Sequence, residues 1–261
     1  MRLPIYQVDA FTDSLFAGNP AAVCPLEAWL PDATMQAIAA ENNLAETAFF
    51  VRQGSDYALR WFTPSVEVDL CGHATLAAGH VVFRFIEPQR QSVDFRTAKA
   101  GTLRVSRRAD MLVMDFPARP ATPVEAPPGL LAALGGAPRQ VLAARDHLVV
   151  YGSAAEVAAL EPDFAALAKV QCWAAIATAP GADGIDFVSR FFAPRQGIDE
   201  DPVTGSSHTT LVPYWAKRLR KTELQARQLS RRGGALICAL HGDRVRIGGR
   251  AVLYLEGQIQ V

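Results

Sequence analysis

Short apolar runs with β-branched and aromatic residues predict strands in both halves of the chain. The clearest are "PIYQVDAF", "ETAFFV", "YALRWF", "HLVVYG", "AAIATA" and "IDFVSRFF". A helical period occurs in "DATMQAIAAENN", where Asp32 is the expected N-cap. The stretch from Ala235 to the end resembles an antiparallel meander. Both halves therefore combine many strands with few helices.

One predicted helix has no polar face. The segment "GHATLAAGHVVFRF", which begins at Gly72, is apolar nearly all the way round. A helix on the surface keeps a polar side toward water. We therefore expect this helix to be enclosed by the strands of its own domain.

A break in regular structure divides the chain. Residues 117–129, "PARPATPVEAPPG", are rich in Pro and Ala and interrupt the strand pattern. The chain has 261 residues, of which 50% are hydrophobic, and this is enough for two modest cores. We therefore predict an N-terminal domain at 1–118 and a C-terminal domain at 119–261.

The charge balance favours a small ligand over a polyanion. The 26 basic and 26 acidic side chains cancel, so no overall field attracts nucleic acid or anionic lipid. A basic stretch at 217–232 lacks interleaved aromatic residues, and its cations suit the C-terminal end of a helix. We expect a small, locally recognised ligand and neither a nucleic-acid nor a membrane partner.

The cysteines and histidines show no metal-ligand spacing. Cys24, Cys71, Cys172 and Cys238 include no CxxC pair, which predicts free thiols in a reducing compartment. The first residues lack the apolar run of a signal peptide, and no segment reaches the roughly 18 apolar residues of a membrane span. We therefore expect a cytoplasmic protein.

Two segments repeat the same order of features. Residues 61–83 and 191–215 each contain an aromatic pair, an x-Pro step, an acidic loop and a glycine that leads into a helix. Since a helix N-terminus offers unpaired N–H groups to an anion, two such ends facing each other could hold one carboxylate ligand. The alternative is that two strand-loop-helix passages occur by chance.

Four short motifs resemble the PhzF, or phenazine-biosynthesis-like, isomerases. They are "GNPAAV" at 18–23, "AETAFF" at 45–50, "DLCGHAT" at 69–75 and "DPVTGSS" at 201–207. The resemblance implies an α+β, diaminopimelate-epimerase-like fold in which each of two similar domains curls a mostly antiparallel, barrel-like sheet around a central helix. It also implies an active site in the cleft between the domains, a homodimer, and no metal or organic cofactor. A member of this type isomerises trans-2,3-dihydro-3-hydroxyanthranilate.

The resemblance implies a set of catalytic residues. Glu46 is the expected acid/base group, because a carboxyl in a dry cleft can both accept and donate a proton near neutral pH. His73 is expected to hydrogen-bond the reacting substrate or relay the proton, and Asp201 to polarise a substrate amine or orient His73. From the residues alone, Glu46 reads equally as a solvated surface residue and Asp201 as ordinary Asp-Pro turn chemistry.

The resemblance also implies substrate-binding residues at the two helix entrances and in the first motif. Gly72, Gly205 and Ser206 are expected to meet the substrate carboxylate, and Asn19 is a further candidate. Asn before Pro is also common in turns, so this residue has a purely structural interpretation as well.

Two rival functions stay open. A racemase of the same fold uses a pair of cysteines, and Cys71 stands where the first would be. The second is expected just before Thr204, where this chain has Pro202 and Val203. Cys71 is then a small packed residue. A ligand-binding protein without turnover is the other alternative.

Overall fold

A computed structural model describes all 261 residues. The strands are β1 (Arg2–Ala10), β2 (Asn19–Leu26), β3 (Glu46–Gln53), β4 (Asp56–Phe62), β5 (Glu67–Val68), β6 (Ser92–Arg96), β7 (Thr102–Arg108), β8 (Met111–Pro117), β9 (Thr122–Pro123), β10 (Gln140–Ala143), β11 (His147–Val150), β12 (Ala175–Pro180), β13 (Phe187–Ala193), β14 (Ile198–Asp201), β15 (Glu223–Gln228), β16 (Gly234–His241), β17 (Arg244–Gly249) and β18 (Ala251–Gln260). The helices are α1 (Asp32–Asn42), α2 (Gly72–Val81), α3 (Leu130–Leu134), α4 (Ala154–Ala158), α5 (Phe164–Leu167) and α6 (His208–Leu219). A π-helical turn, Val82–Ile86, extends α2, and a 3-10 turn spans Pro194–Gln196. The predicted excess of strands over helices is confirmed.

The chain forms two compact units. Unit 1 comprises Met1–Asp115 together with Gly248–Val261, and unit 2 comprises Phe116–Ile247. This division differs from the expected domains, 1–118 and 119–261, because the C-terminal segment belongs to unit 1. Its strand β18 pairs antiparallel with β1 over the whole length of β1. This pairing joins the two ends of the chain in one unit. Such a long-range partner leaves no mark in the local pattern that suggested a meander.

The strands of the two units pair in the same order. In unit 1 the successive pairs β1–β2, β2–β3, β3–β4, β4–β6 and β6–β7 are antiparallel, parallel, antiparallel, parallel and antiparallel. In unit 2 the pairs β10–β11, β11–β12, β12–β13, β13–β15 and β15–β16 repeat that order. Helix α2 precedes β6, and α6 precedes β15 in the same way. The repeat suggested by the two sequence segments is therefore a repeat of topology.

Helix α2 is enclosed, as its apolar sequence predicts. Nearly all of its side chains are buried, and it packs against β1, β2, β3 and β7. Strands on several sides of one helix require a curved sheet. At Gly79 an added Cβ would lie 2.8 Å from Cγ1 of Val105, so the close approach of α2 to β7 depends on the absence of a side chain.

The prediction that Asp32 is the N-cap of α1 is wrong. Asp32 is the first residue of the helix, the N-cap position belongs to Pro31, and no side chain caps this end. The Asp32 carboxylate instead accepts a hydrogen bond of 2.8 Å from Arg60 of β4. None of the helices is long and apolar enough to cross a membrane.

Candidate active site

Three of the predicted site residues meet in unit 1. Asn19 is the first residue of β2, Glu46 is the first residue of β3, and His73 is the second residue of α2. Because β2 and β3 run parallel, with Ala21 opposite Glu46, their N-terminal ends lie at one edge of the sheet. Glu46 is 8% exposed and His73 is 5% exposed, so both sit almost out of contact with bulk water.

Glu46 and His73 form a buried pair. Oε2 of Glu46 lies 3.1 Å from Nε2 of His73, although this oxygen is not aligned with any hydrogen-bond donor. On the other side of the ring, Nδ2 of Asn19 lies 3.1 Å from Nδ1, and it donates to that nitrogen when the ring is neutral. When Nδ1 carries a proton, a half-turn of the amide presents Oδ1 instead, so Asn19 can serve both protonation states of His73.

The protonation of Cys71 and His73 follows from their burial and from the charges around them. Burial raises the pKa of the Cys71 thiol to about 11, and the Glu46 carboxylate adds to that shift, so the thiol is neutral at pH 7. Burial by itself would lower the pKa of His73, but its interactions with Cys71 and Glu46 hold that pKa well above the ordinary value. Since the thiol is neutral, we assign the effect to the carboxylate. The neighbouring carboxylate thus favours the protonated form of His73.

The same cluster contains the residue types of a metal site. Glu46, Cys71 and His73 each offer one ligand atom, and these atoms lie within 4.8 Å of one another. A divalent metal would need the thiolate and the neutral imidazole. The protons that Cys71 and His73 retain at neutral pH oppose that, so the cluster suits proton transfer better than metal binding.

The other predicted residues lie in unit 2, around the start of α6. Asp201 ends β14, and its Oδ2 accepts a hydrogen bond of 2.5 Å from Oγ1 of Thr204. Gly205 and Ser206 form a turn that leads into α6, which begins at His208. The helix therefore starts three residues later than the repeat places it, counting from Gly205 to His208.

Both helix entrances lack a side-chain cap. At α2 the N-cap residue is Cys71, and at α6 it is Ser207, and neither side chain forms a capping hydrogen bond. The Ser207 hydroxyl instead donates to the Thr204 carbonyl, at 2.8 Å. At α6 the backbone N–H groups of His208, Thr209 and Thr210 instead donate to the carbonyls of Gly205, Ser206 and Ser207.

Two contacts were missed by the sequence-based prediction. One is the Asn19–His73 pair, since Asn19 was assigned to substrate alone. The other is a buried amide, Gln228, which hydrogen-bonds the loop that carries Asp201. A signal for Gln228 was present, because the alternation of β15 places it on the inward side with Leu224 and Ala226.

The protein has a mixed α/β fold with a large curled sheet and few helices, and a buried carboxylate–imidazole pair lies at one edge of that sheet. The family model PhzC-PhzF, described as phenazine biosynthesis-like protein, matches residues 8–257. The chain belongs to this family.

Relatives cover the whole chain. An uncharacterized isomerase of Pseudomonas aeruginosa is 53% identical over 261 residues, which is 100% of both chains. A crystal structure of a PhzF-family phenazine biosynthesis protein from Enterococcus faecalis has a TM-score of 0.97 and 46% identity, again over 100% of both chains. A hydroxyproline epimerase from Agrobacterium vitis, at 12% identity and a TM-score of 0.59, covers 99% of this chain and 92% of its own. That last similarity shows the fold alone.

Proposed function

We propose that the protein is a cofactor-independent isomerase that moves a proton between two carbons of a small carboxylate-bearing substrate. The observation that carries this proposal is the buried Glu46–His73 pair, whose ring is held on its far side by Asn19. A buried carboxylate beside an imidazole can take a proton from carbon and return it, which is the role that general acid/base catalysis needs. The names of the relatives agree with an isomerase.

In the proposed reaction Glu46 acts first as base and then as acid. Its carboxylate takes a proton from one substrate carbon, and the electron pair of that C–H bond shifts an adjacent double bond. The carboxyl group then returns a proton to the carbon at the far end of the shifted bond. No atom is gained or lost overall. His73 keeps the carboxylate in place and stabilises its charged form before the first transfer and after the second.

The substrate carboxylate would bind at the uncapped helix entrances. Backbone N–H groups of a helix N-terminus favour an anion, and Gly72 and Gly205 put no side chain in its way. We propose that Ser206 donates its hydroxyl to the same carboxylate and that Asp201 binds a substrate amine.

Incubation in heavy water tests the proposal. The candidate substrates are trans-2,3-dihydro-3-hydroxyanthranilate, related amino-cyclohexadienes and amino acids. After incubation each is analysed by mass spectrometry. The wild-type protein is expected to add deuterium to at least one of them. Tight binding of a carboxylate without any mass gain across the panel would favour a binding protein instead.

A racemase remains the alternative from the same fold. Its two-thiol mechanism needs a thiolate, whereas burial keeps the Cys71 thiol protonated, with a pKa of about 11. The Cys71→Ala variant is therefore expected to keep its turnover. Loss of turnover in that variant, together with inactivation of the wild type by a thiol-blocking reagent, would favour the racemase.

A further inference from the structure

The side-chain amide of Gln228 is fully buried, and its hydrogen bonds all go to the loop that carries Asp201. It is the last residue of β15 and is 0% exposed. Its Nε2 donates to the Asp201 carbonyl at 2.7 Å and to Oγ1 of Thr204 at 3.2 Å, and its Oε1 accepts from the Thr204 N–H at 2.8 Å. Burial of an amide is costly unless its groups are paired, so these bonds fix the loop to the end of the strand.

These bonds also set the direction of a hydroxyl proton. Thr204 has one O–H, and Nε2 of Gln228 already donates to its oxygen. The Thr204 proton therefore points to Oδ2 of Asp201, at 2.5 Å. The order of donation runs from Gln228 to Thr204 and from Thr204 to the carboxylate.

A second bond from the same segment supports the loop. Ser230, two residues beyond Gln228, donates its hydroxyl to the Pro202 carbonyl at 2.7 Å. One short stretch of chain thus holds the backbone of residues 201–204 at three polar groups, the carbonyls of Asp201 and Pro202 and the N–H of Thr204. Asp201 itself is only half-buried.

We infer that Gln228 and Thr204 are positioning residues, which hold the Asp201 carboxylate in the orientation that the reaction uses. The inference rests on the proposed function, in which Asp201 contacts the substrate. Neither residue touches the substrate. Both act through the geometry of Asp201.

The first test compares two variants and their combination. Gln228→Met keeps the length of the side chain without its hydrogen bonds, and Thr204→Val keeps the shape without the hydroxyl. Each is expected to lower kcat by about 10- to 100-fold, with a smaller change in KM, because misplacement of a catalytic group by about 1 Å costs on that scale. In the Thr204→Val background, Gln228→Met is expected to cost less than it does alone, since one of its three bonds to the loop is already lost.

Two controls separate positioning from general damage. Gln225→Met changes an exposed glutamine of the same strand and is expected to leave kcat unaltered. Thr204→Ser restores the hydroxyl and is expected to recover most of the activity that Thr204→Val loses. The inference would be overturned if the two losses of kcat multiplied in full in the double variant. It would also be overturned if Thr204→Ser were as inactive as Thr204→Val.

A spectroscopic measurement decides the geometry without any substrate. In protein labelled with ¹³C at aspartate side chains, the Asp201 carboxyl signal is identified by its absence from Asp201→Asn. It is expected to move in Gln228→Met and Thr204→Val but not in Gln225→Met. An unmoved signal in both variants contradicts the positioning role, whereas a wild type that exchanges no deuterium contradicts only the proposed function.

Discussion

The two units repeat one order of strand pairing but carry different side chains at the same place. Phe62 of β4 and Phe192 of β13 hold equivalent positions in the repeat, each at the end of a strand that leads to the central helix. Phe62 lies opposite Thr47 of β3, and the residue before Thr47 is Glu46. Phe192 lies opposite Ala175 of β12, and the residue before Ala175 is Ala174. Only unit 1 therefore offers a carboxylate at this site.

The helix entrances differ in the same sense. In unit 1 the glycine that begins α2 is followed by His73, which pairs with Glu46. In unit 2 Gly205 is followed by Ser206. The carboxylate of the nearby Asp201 accepts from Thr204, and Gln228 donates to the backbone carbonyl of Asp201. The apolar pattern that specifies the topology leaves these few polar positions free to differ. We infer that unit 1 supplies the proton-transfer group and unit 2 supplies a binding loop.

The largest expected effect is the loss of the carboxylate that distinguishes unit 1. Glu46→Gln is expected to lower turnover by about 10²- to 10⁴-fold, the usual contribution of a general acid or base. Its circular dichroism and thermal midpoint are expected to stay near those of the wild type. The matched control is Glu67→Gln, on the exposed end of the same sheet, which is expected to keep full activity. An active Glu46→Gln would remove this residue from the mechanism.

A buried histidine in unit 2 should make the protein sensitive to acid. Burial lowers the pKa of His208 from 6.5 to about 4. As the pH falls, the unfolded chain binds this proton first, so the free energy of unfolding decreases between about pH 6.5 and 4 and is then constant with respect to this group. The loss is at most about 3 kcal/mol.

Urea unfolding at pH 7 and pH 4 measures this loss. His208→Asn keeps a side-chain N–H for the Thr204 carbonyl, to which Nδ1 donates at 2.9 Å, and removes the titration. This variant is expected to lose less stability on acidification than the wild type. The exposed His241→Asn serves as control, and an equal acid loss in all three proteins would refute the assignment.

The tight packing of α2 predicts a smaller change in stability. Gly79→Ala forces a methyl group to within 2.8 Å of Val105, and overpacking of this kind costs about 1–3 kcal/mol. The comparison is Gly257→Ala in β18, where the nearest atom would lie 3.8 Å away. Urea midpoints of the two variants check the difference. Equal midpoints would mean that α2 can shift away from β7 without cost.

The smallest predicted effect concerns the orientation of His73. Asn19→Leu removes a hydrogen bond to the ring, and a bond of this kind contributes about 1–1.5 kcal/mol, equivalent to roughly a tenfold fall in kcat. Asn42→Ala removes another amide contact in the same unit, to Thr47, without touching His73. Its kcat is expected to be unchanged. A similar fall in both variants would indicate general loosening of unit 1.

The sequence predicted those parts of the fold that depend on local pattern. Period and turn chemistry located the strands and the enclosed helix α2, and the repeat of motifs anticipated the repeated topology. The pairing of β18 with β1 was missed, because it joins the two ends of the chain. Asp32 was assigned as a cap, although a distant partner, Arg60, takes its carboxylate.

The candidate site was predictable as a set of residues but not as a set of contacts. Glu46 and His73 were identified by their motifs, while their distance of 3.1 Å depends on how β3 and α2 pack. The contact between Asn19 and His73 joins residues 54 positions apart, and the sequence carries no local signal of it. Gln228 could have been found, since a polar residue on the inward side of an alternating strand needs a partner.

The most direct test of proton transfer by Glu46 is the position of deuterium in the product of a turnover in heavy water. Nuclear magnetic resonance locates the label once a substrate has been identified. The proposed reaction predicts deuterium at a carbon other than the one that lost its hydrogen, and no such product from Glu46→Gln. Deuterium at the same carbon that was deprotonated, with the double bonds in place, would contradict the isomerase and support an epimerase.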